Sequence, residues 1–173
     1  MKYLALIIGV AAVIFYFVGY LQKSRKSIII FNATSRVLYI LQYVLLGAFE
    51  GAVLDVAGII SSLLAQKKHL PFIKKHIRIF FIGVNVIIVI MGLLIYENLY
   101  SLLPIIGVLF HTGAFWIDDE KTIRRVSFLG SPFWLIYNFV SGAYGSCIGD
   151  ILSMVSIGIS IIRYDIKRKN TDG

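Results

Sequence analysis

The chain has 173 residues, of which 58% are hydrophobic and only 15% charged, with a formal net charge of +8 and a mean hydropathy of +0.85. Soluble domains carry about a quarter charged residues; here the charges are bunched between apolar runs long enough to cross a bilayer, which excludes a soluble fold. The positive charge then reads as Lys and Arg held on the cytoplasmic side rather than as a nucleic-acid footprint, and the single cysteine, Cys147, excludes an internal disulfide and a cysteine-based metal site.

The first apolar run, residues 3–21, comes before its basic cluster at 22–26. A signal peptide has the opposite flank and a shorter run, so this segment reads as a first span. Residues 27–31 are apolar but short, and Asn32 to Arg36 resembles a helix start, with Asn32, Thr34 or Ser35 available as the cap. Span two is then expected over 37–49, a tight turn at Glu50-Gly51, and span three over 52–65. Residues 66–78 form a basic loop in which Pro71 breaks helix continuity. Span four is expected over 79–96, ended by Glu97-Asn98, and span five over 99–117 with Pro104 inside it. After a polar loop at 118–121, Arg124 and Arg125 open span six, which reaches Val140. A glycine-rich corner at 141–145 leads to span seven, ending at Arg163, and the basic tail over 165–173 is expected to be disordered.

Seven spans put the termini on opposite sides. With the N-terminus outside, the basic loops at 23–26, 67–78 and 121–125 and the tail all fall on the cytoplasmic face. Every Lys and Arg except Lys2 is then expected at or near that face.

The chain also matches itself. At an offset of 95, Gly47-Ala48-Phe49 meets Gly142-Ala143-Tyr144, and Val53, Asp55, Val56 and Ser61 meet Ile148, Asp150, Ile151 and Ser156. Leu4 to Val10 resembles Leu102 to Val108 at an offset of 98, which requires a three-residue shift between the two blocks. The expected organisation is a first three-helix repeat over 1–66, a basic loop and linker helix over 67–97, and a second three-helix repeat with its basic tail over 98–173. The linker helix returns the chain to its starting side, so the two repeats run parallel, a plan found among transporters with sites near the midplane.

The stretch WLIYNFVSGAYGSCIGD resembles the second and third helices of the SemiSWEET and SWEET (PQ-loop) transporters, in which a tryptophan precedes an intramembrane asparagine by the interval that separates Trp134 from Asp150. The LLPIIG of span five, WLIYN, the GAYGS corner and the terminal IIRY resemble more closely the YgjV-type family of bacterial inner-membrane proteins. These resemblances imply an all-α membrane protein of seven transmembrane helices in a three-plus-one-plus-three parallel-repeat arrangement, located in the bacterial inner membrane. They also imply a pocket at Trp134 and Asp150, with Tyr39 and Asp55 as the first-repeat equivalents. The chain departs from the SWEET pattern in lacking the PQ dipeptide and in carrying acids where that pocket has amides.

A carboxylate in a bilayer costs roughly 2.5–3.5 kcal/mol on insertion scales, so Asp55 and Asp150 are expected to face protein or water. Facing one cavity, they would bind a proton or cation; otherwise each caps a neighbouring helix or bonds a serine. Trp134 and Tyr39 would stack on a solute or close over a cation, or serve as packing. Gly145, Gly149, Ser153, Ser156 and Ser160 form a small-residue stripe expected to pack closely against another helix, and Gly51, Asp55, Gly58 and Ser62 a shorter one. Gln42, Asn85, His111 and Asn138 are expected in interhelical hydrogen bonds, and His111 alone makes no metal site. No nucleotide loop, paired histidine ligands or catalytic triad order is present, so no enzyme, cofactor or metal is expected. The function expected is a small secondary transporter or facilitator whose partners are the bilayer, a small polar solute and a proton. The alternative is a non-transporting receptor or scaffold on the same fold.

Overall fold

The computed structural model describes residues 2–46, 49–96, 98–140 and 144–166, and in them the chain is all-helical. The helices are α1 (Lys2–Tyr20), α2 (Arg25–Leu46), α3 (Phe49–Gln66), the short α4 (Pro71–Lys75), α5 (Ile77–Leu94), α6 (Leu102–Ala114), α7 (Glu120–Val140) and α8 (Tyr144–Ser160). A 3₁₀ turn, Leu99–Ser101, precedes α6, and a π turn, Ile161–Ile166, prolongs α8. Four helical segments are long and apolar enough to cross a membrane: Tyr3–Tyr20, Arg25–Leu46, Ile77–Leu94 and Cys147–Asp165. Gly51–Gln66 and Leu99–Ala114 are shorter apolar helices. α7 is long, but its first turns carry Glu120, Lys121, Arg124 and Arg125.

The expected start of span two is corrected. Ser24 caps α2, its hydroxyl accepting from the Ser27 amide at 3.2 Å, and the helix runs unbroken through residues 27–36. Asn32, Thr34 and Ser35 are therefore interior residues rather than caps. Thr34 bonds back to the Ile30 carbonyl, and Ser35 donates to the Ala12 carbonyl of α1 at 2.8 Å. Glu50 and Gly51 lie inside α3, not in a turn. Pro71 opens α4 at its first position, where the missing amide costs nothing. The expected disorder of the tail is corrected at its start, since Asp165 is buried and pairs with the buried Arg124. Glu97, residues 47–48, the corner at 141–143 and the tail from 167 lie outside the described residues.

Caps and turns recur at the 95-residue offset. Asp119 caps α7 by accepting from the Thr122 amide at 2.8 Å, as Ser24 does for Ser27. The Ile28 amide reaches the Ser24 carbonyl as the Ile123 amide reaches that of Asp119, and Gln22 turns back on Gly19 as Ile117 does on Ala114. α2 and α7 begin 95 residues apart, as do α3 and α8. The turns that end α1 and α6 keep this offset, so the three-residue shift expected there is not needed at their C-terminal ends.

Six helices close a ring: α1 packs on α2, α2 on α3, α3 on α6, α6 on α7, α7 on α8 and α8 on α1, with α5 outside against α3 and α6. The ring is apolar outside and polar inside. Ile79, Ile82, Val86, Ile87, Ile90 and Leu93 of α5 are exposed, whereas Arg36, Asp55, Ser61, His111, Ser127, Ser131, Asn138 and Ser156 are buried. In water such a surface would be a liability; in hydrocarbon it is the satisfied arrangement. The expected stripes make close contacts. A Cβ on Gly149 would meet Val13 of α1 at 2.8 Å, and Ser156 and Ser160 donate to the Phe17 and Tyr20 carbonyls of α1. Gly51 and Gly58 sit against Tyr43 and Arg36 of α2.

At one end of the ring the connections interlock. Arg25 donates to the carbonyls of Ala65, Phe115 and Ile117, satisfying helix C-termini of both α3 and α6. Lys68 is buried, donates to the Trp116 carbonyl and pairs with Asp118 at 2.8 Å.

Candidate functional site

All six ring helices contribute to a central cavity of about 50 Å³. α1 gives Tyr16, α2 gives Arg36, Tyr39 and Tyr43, and α3 gives Asp55. α6 gives His111, α7 gives Trp134 and Asn138, and α8 gives Asp150. The four residues singled out from the sequence, Tyr39, Asp55, Trp134 and Asp150, thus line one space. At about 10–15 Å³ for each water on this measure, the cavity in this conformation has room for a few waters or a solute of a few heavy atoms.

Arg36 is the residue that the sequence reading misplaced. It was expected near the cytoplasmic boundary, but the early start of α2 carries it to mid-helix, where it is 4% exposed. Its Nη1 donates to Asp55 Oδ1 at 2.6 Å, and its Nε donates to Asn32 Oδ1 at 3.0 Å. Gly58 makes the room: a Cβ there would stand 2.6 Å from Arg36 Nη1. Asp55 is therefore half of a buried ion pair rather than a bare carboxylate. A signal existed, because Asn32, Arg36, Tyr39 and Tyr43 fall on one face of a continuous helix.

Asp150 is held differently. Asn138 Nδ2 donates to its Oδ2 at 2.8 Å. Among the described residues, no Lys, Arg or His forms an ion pair with it. The residue 95 places after Arg36 is Ser131, whose hydroxyl bonds the Ser127 carbonyl of its own helix. At the 95-residue offset the carboxylate recurs, as Asp55 and Asp150, but the cation does not.

His111 also enters the site, which its sequence context did not suggest. Its Nε2 lies 2.8 Å from the Ser127 carbonyl, an acceptor only, so Nε2 carries the hydrogen. Nδ1 then accepts from the Tyr16 hydroxyl at 3.1 Å. Tyr16 and His111 are 95 residues apart and touch each other across the ring. Trp134 is buried against Leu54, Ala57, Val84, Ile88 and Val108, and a Cβ on Gly107 would strike its ring at 2.5 Å. Tyr39 stacks on Tyr43 with centroids 6.1 Å apart. Of the expected interhelical polar contacts, His111 and Asn138 make theirs, whereas Asn85 bonds the Phe81 carbonyl of its own helix and is half-buried. Gln42 crowds Gly9 of α1, and its buried Oε1 has no hydrogen-bond partner among the described residues. No group of three His, Cys, Asp or Glu that could hold a metal is present among the described residues.

A sequence model of the Imp-YgjV family, described as bacterial inner membrane protein, matches residues 3–168. A curated relative, the inner membrane protein YgjV of Escherichia coli (strain K12), is 30% identical over 73 residues. That match covers 42% of this chain and 40% of the relative, so the chain aligns with less than half of the relative's length. No solved structure matches the chain.

Proposed function

The chain belongs to the Imp-YgjV family of bacterial inner membrane proteins, and from that premise we propose that it is a small secondary transporter or facilitator of a small polar solute. The observation that carries this reading is the cavity at the ring centre. It lies where two three-helix units meet, is walled by buried charge and aromatic rings, and includes Tyr39, Asp55, Trp134 and Asp150. The recurrence of caps and helix starts at one offset supports a three-plus-one-plus-three plan: α1–α3 and α6–α8 as the repeats over 1–66 and 98–173, and α5 as the linker helix. Alternating access would come from rocking of one unit against the other about this site. The end that gathers Arg25, Lys68 and Lys121 faces the cytoplasm in this reading, which leaves the N-terminus outside and the C-terminus inside.

A central cavity lined by buried Arg36, Asp55, His111 and Asn138 together with Asp150 favours transport over a receptor or scaffold role, for which a dry, packed centre would suffice. The test is a solute screen in proteoliposomes holding the full chain, with Asp150→Asn as the control. Uptake of a small polar solute that the variant abolishes is the expected result. A screen in which protein-free and protein-containing vesicles behave alike would overturn the proposal.

A further inference from the structure

The two repeats place a carboxylate at the same position and treat it differently, and this difference points to the ligand. The inference rests on the central cavity being the solute site. In the first repeat the chain supplies the counter-ion itself: the Arg36 guanidinium lies 2.6 Å from Asp55. In the second, Ser131 stands in the place of Arg36 and brings no charge, while Asp150 holds one amide hydrogen bond from Asn138. An ionised carboxylate removed from water needs a compensating positive charge. Trp134, Tyr39 and Tyr43 line the same cavity, and the face of an aromatic ring attracts a cation.

We propose that Asp150 and these rings bind a small monovalent organic cation of the guanidinium or ammonium type, seated beside Asp150 as the Arg36 guanidinium is seated beside Asp55. The cavity of about 50 Å³ leaves room for a small ion of this kind beside Asp150. A proton satisfies the same carboxylate, so cation and proton compete for it. Where Asp150 is protonated, each cation that binds sends one proton to water, and the charge of the site is unchanged. The other titratable groups facing this space are Tyr16, Arg36, Tyr39, Tyr43, Asp55 and His111. Of these, Arg36 and Asp55 neutralise one another, and His111 is tied at both nitrogens.

The probe is guanidinium chloride at millimolar concentration, added to the full chain in detergent or liposomes, with urea as its neutral isostere and sodium chloride as the ionic-strength control. The readout is tryptophan fluorescence, to which Trp134 in the cavity wall contributes. A saturable response to guanidinium and none to urea is expected. In the unmodified protein, the apparent Kd should rise about tenfold per pH unit through the range where the carboxyl becomes protonated. Asp150→Asn should abolish the response while the protein remains monodisperse. Equal responses to urea and guanidinium, a pH-independent Kd, or a folded Asp150→Asn that still responds would each overturn the inference. Cation binding without solute uptake would refute the transport reading alone, and uptake of a neutral solute without cation binding would refute this inference alone.

Discussion

Replacing Arg36 with Met is the sharpest perturbation of the ring. Met keeps much of the apolar stem but removes the guanidinium that faces Asp55, a residue 5% exposed. Removing one partner of a buried pair costs about 3–5 kcal/mol, because the remaining charge is left uncompensated. Two details of this site set where in that range the loss should fall. Asn32 Oδ1 loses its only described donor, and its Nδ2 already has no hydrogen-bond partner among the described residues, which pushes the cost up. Asp55 can escape by taking a proton, which pulls it down. The expected loss is about 3 kcal/mol near neutral pH, read as the shift in unfolding free energy on titrating the protein from mild detergent into SDS. Arg36→Met combined with Asp55→Asn should recover at least about 1 kcal/mol, since the stranded charge is gone. The exposed Arg125→Met is the reference, with an effect within about 0.5 kcal/mol. If Arg36→Met matches that reference, or if the double variant is no better than the sum of the single ones, the pair is not buried as described.

Gly58→Ala should act through the same pair: its new Cβ meets the guanidinium, costing about 1–3 kcal/mol in the parent and close to nothing in the Arg36→Met background, measured by the same titration. Ser156→Ala and Ser160→Ala each remove one bond from α8 to an α1 carbonyl and should cost about 0.6 kcal/mol apiece, roughly additively. Arg25→Met leaves three helix-terminal carbonyls without their donor and should lower the melting temperature more than any substitution of the exposed Lys67 does. The hydrogen bond from Lys68 holds the Asp118 carboxyl below its ordinary value, so the stability that Asp118 contributes is present at neutral pH and lost as pH falls through that lowered value. Melting curves from pH 7 down to 3 should therefore show a shallower acid limb in Asp118→Asn, by a small amount because Asp118 is largely exposed.

Much of the fold was legible because rare residues carry information in apolar text. Asp55 and Asp150 stood out against greasy surroundings, and the offset between them is the offset of the caps and helix starts. The pairing of Tyr39 with Trp134 followed from that register. Arg36 was not legible, for a physical reason. A basic residue close to an apolar run looks like a boundary anchor unless the start of its helix is known, and here Asn32, Thr34 and Ser35 imitate a cap. The true cap, Ser24, sits inside a basic cluster that reads as loop. His111 was expected in an interhelical hydrogen bond but not in the site, because a single polar residue in an apolar span has no visible partner in sequence. Its partner, Tyr16, is 95 residues away, and the repeat offset itself was the available clue.

Among the described residues, the polar contacts that join α1–α3 to α6–α8 gather toward the end where α1, α3 and α6 finish. At the cavity the charged and amide bonds stay within α1–α3 or within α6–α8: Arg36 with Asp55, and Asn138 with Asp150. Among the described residues, the polar link across the cavity is Tyr16 with His111. Toward the end where α1, α3 and α6 finish, the cross-links multiply. Arg25 holds the Phe115 and Ile117 carbonyls, Lys68 holds that of Trp116, Trp116 Nε1 donates to Ser61, and Ser160 and Tyr164 hold those of Tyr20 and Leu21. Tyr20 and Phe115, 95 residues apart and both fully buried, belong to one apolar cluster at this end. Separating α1–α3 from α6–α8 at the end rich in Lys and Arg would require Arg25 and Lys68 to give up the Phe115, Trp116 and Ile117 carbonyls they hold.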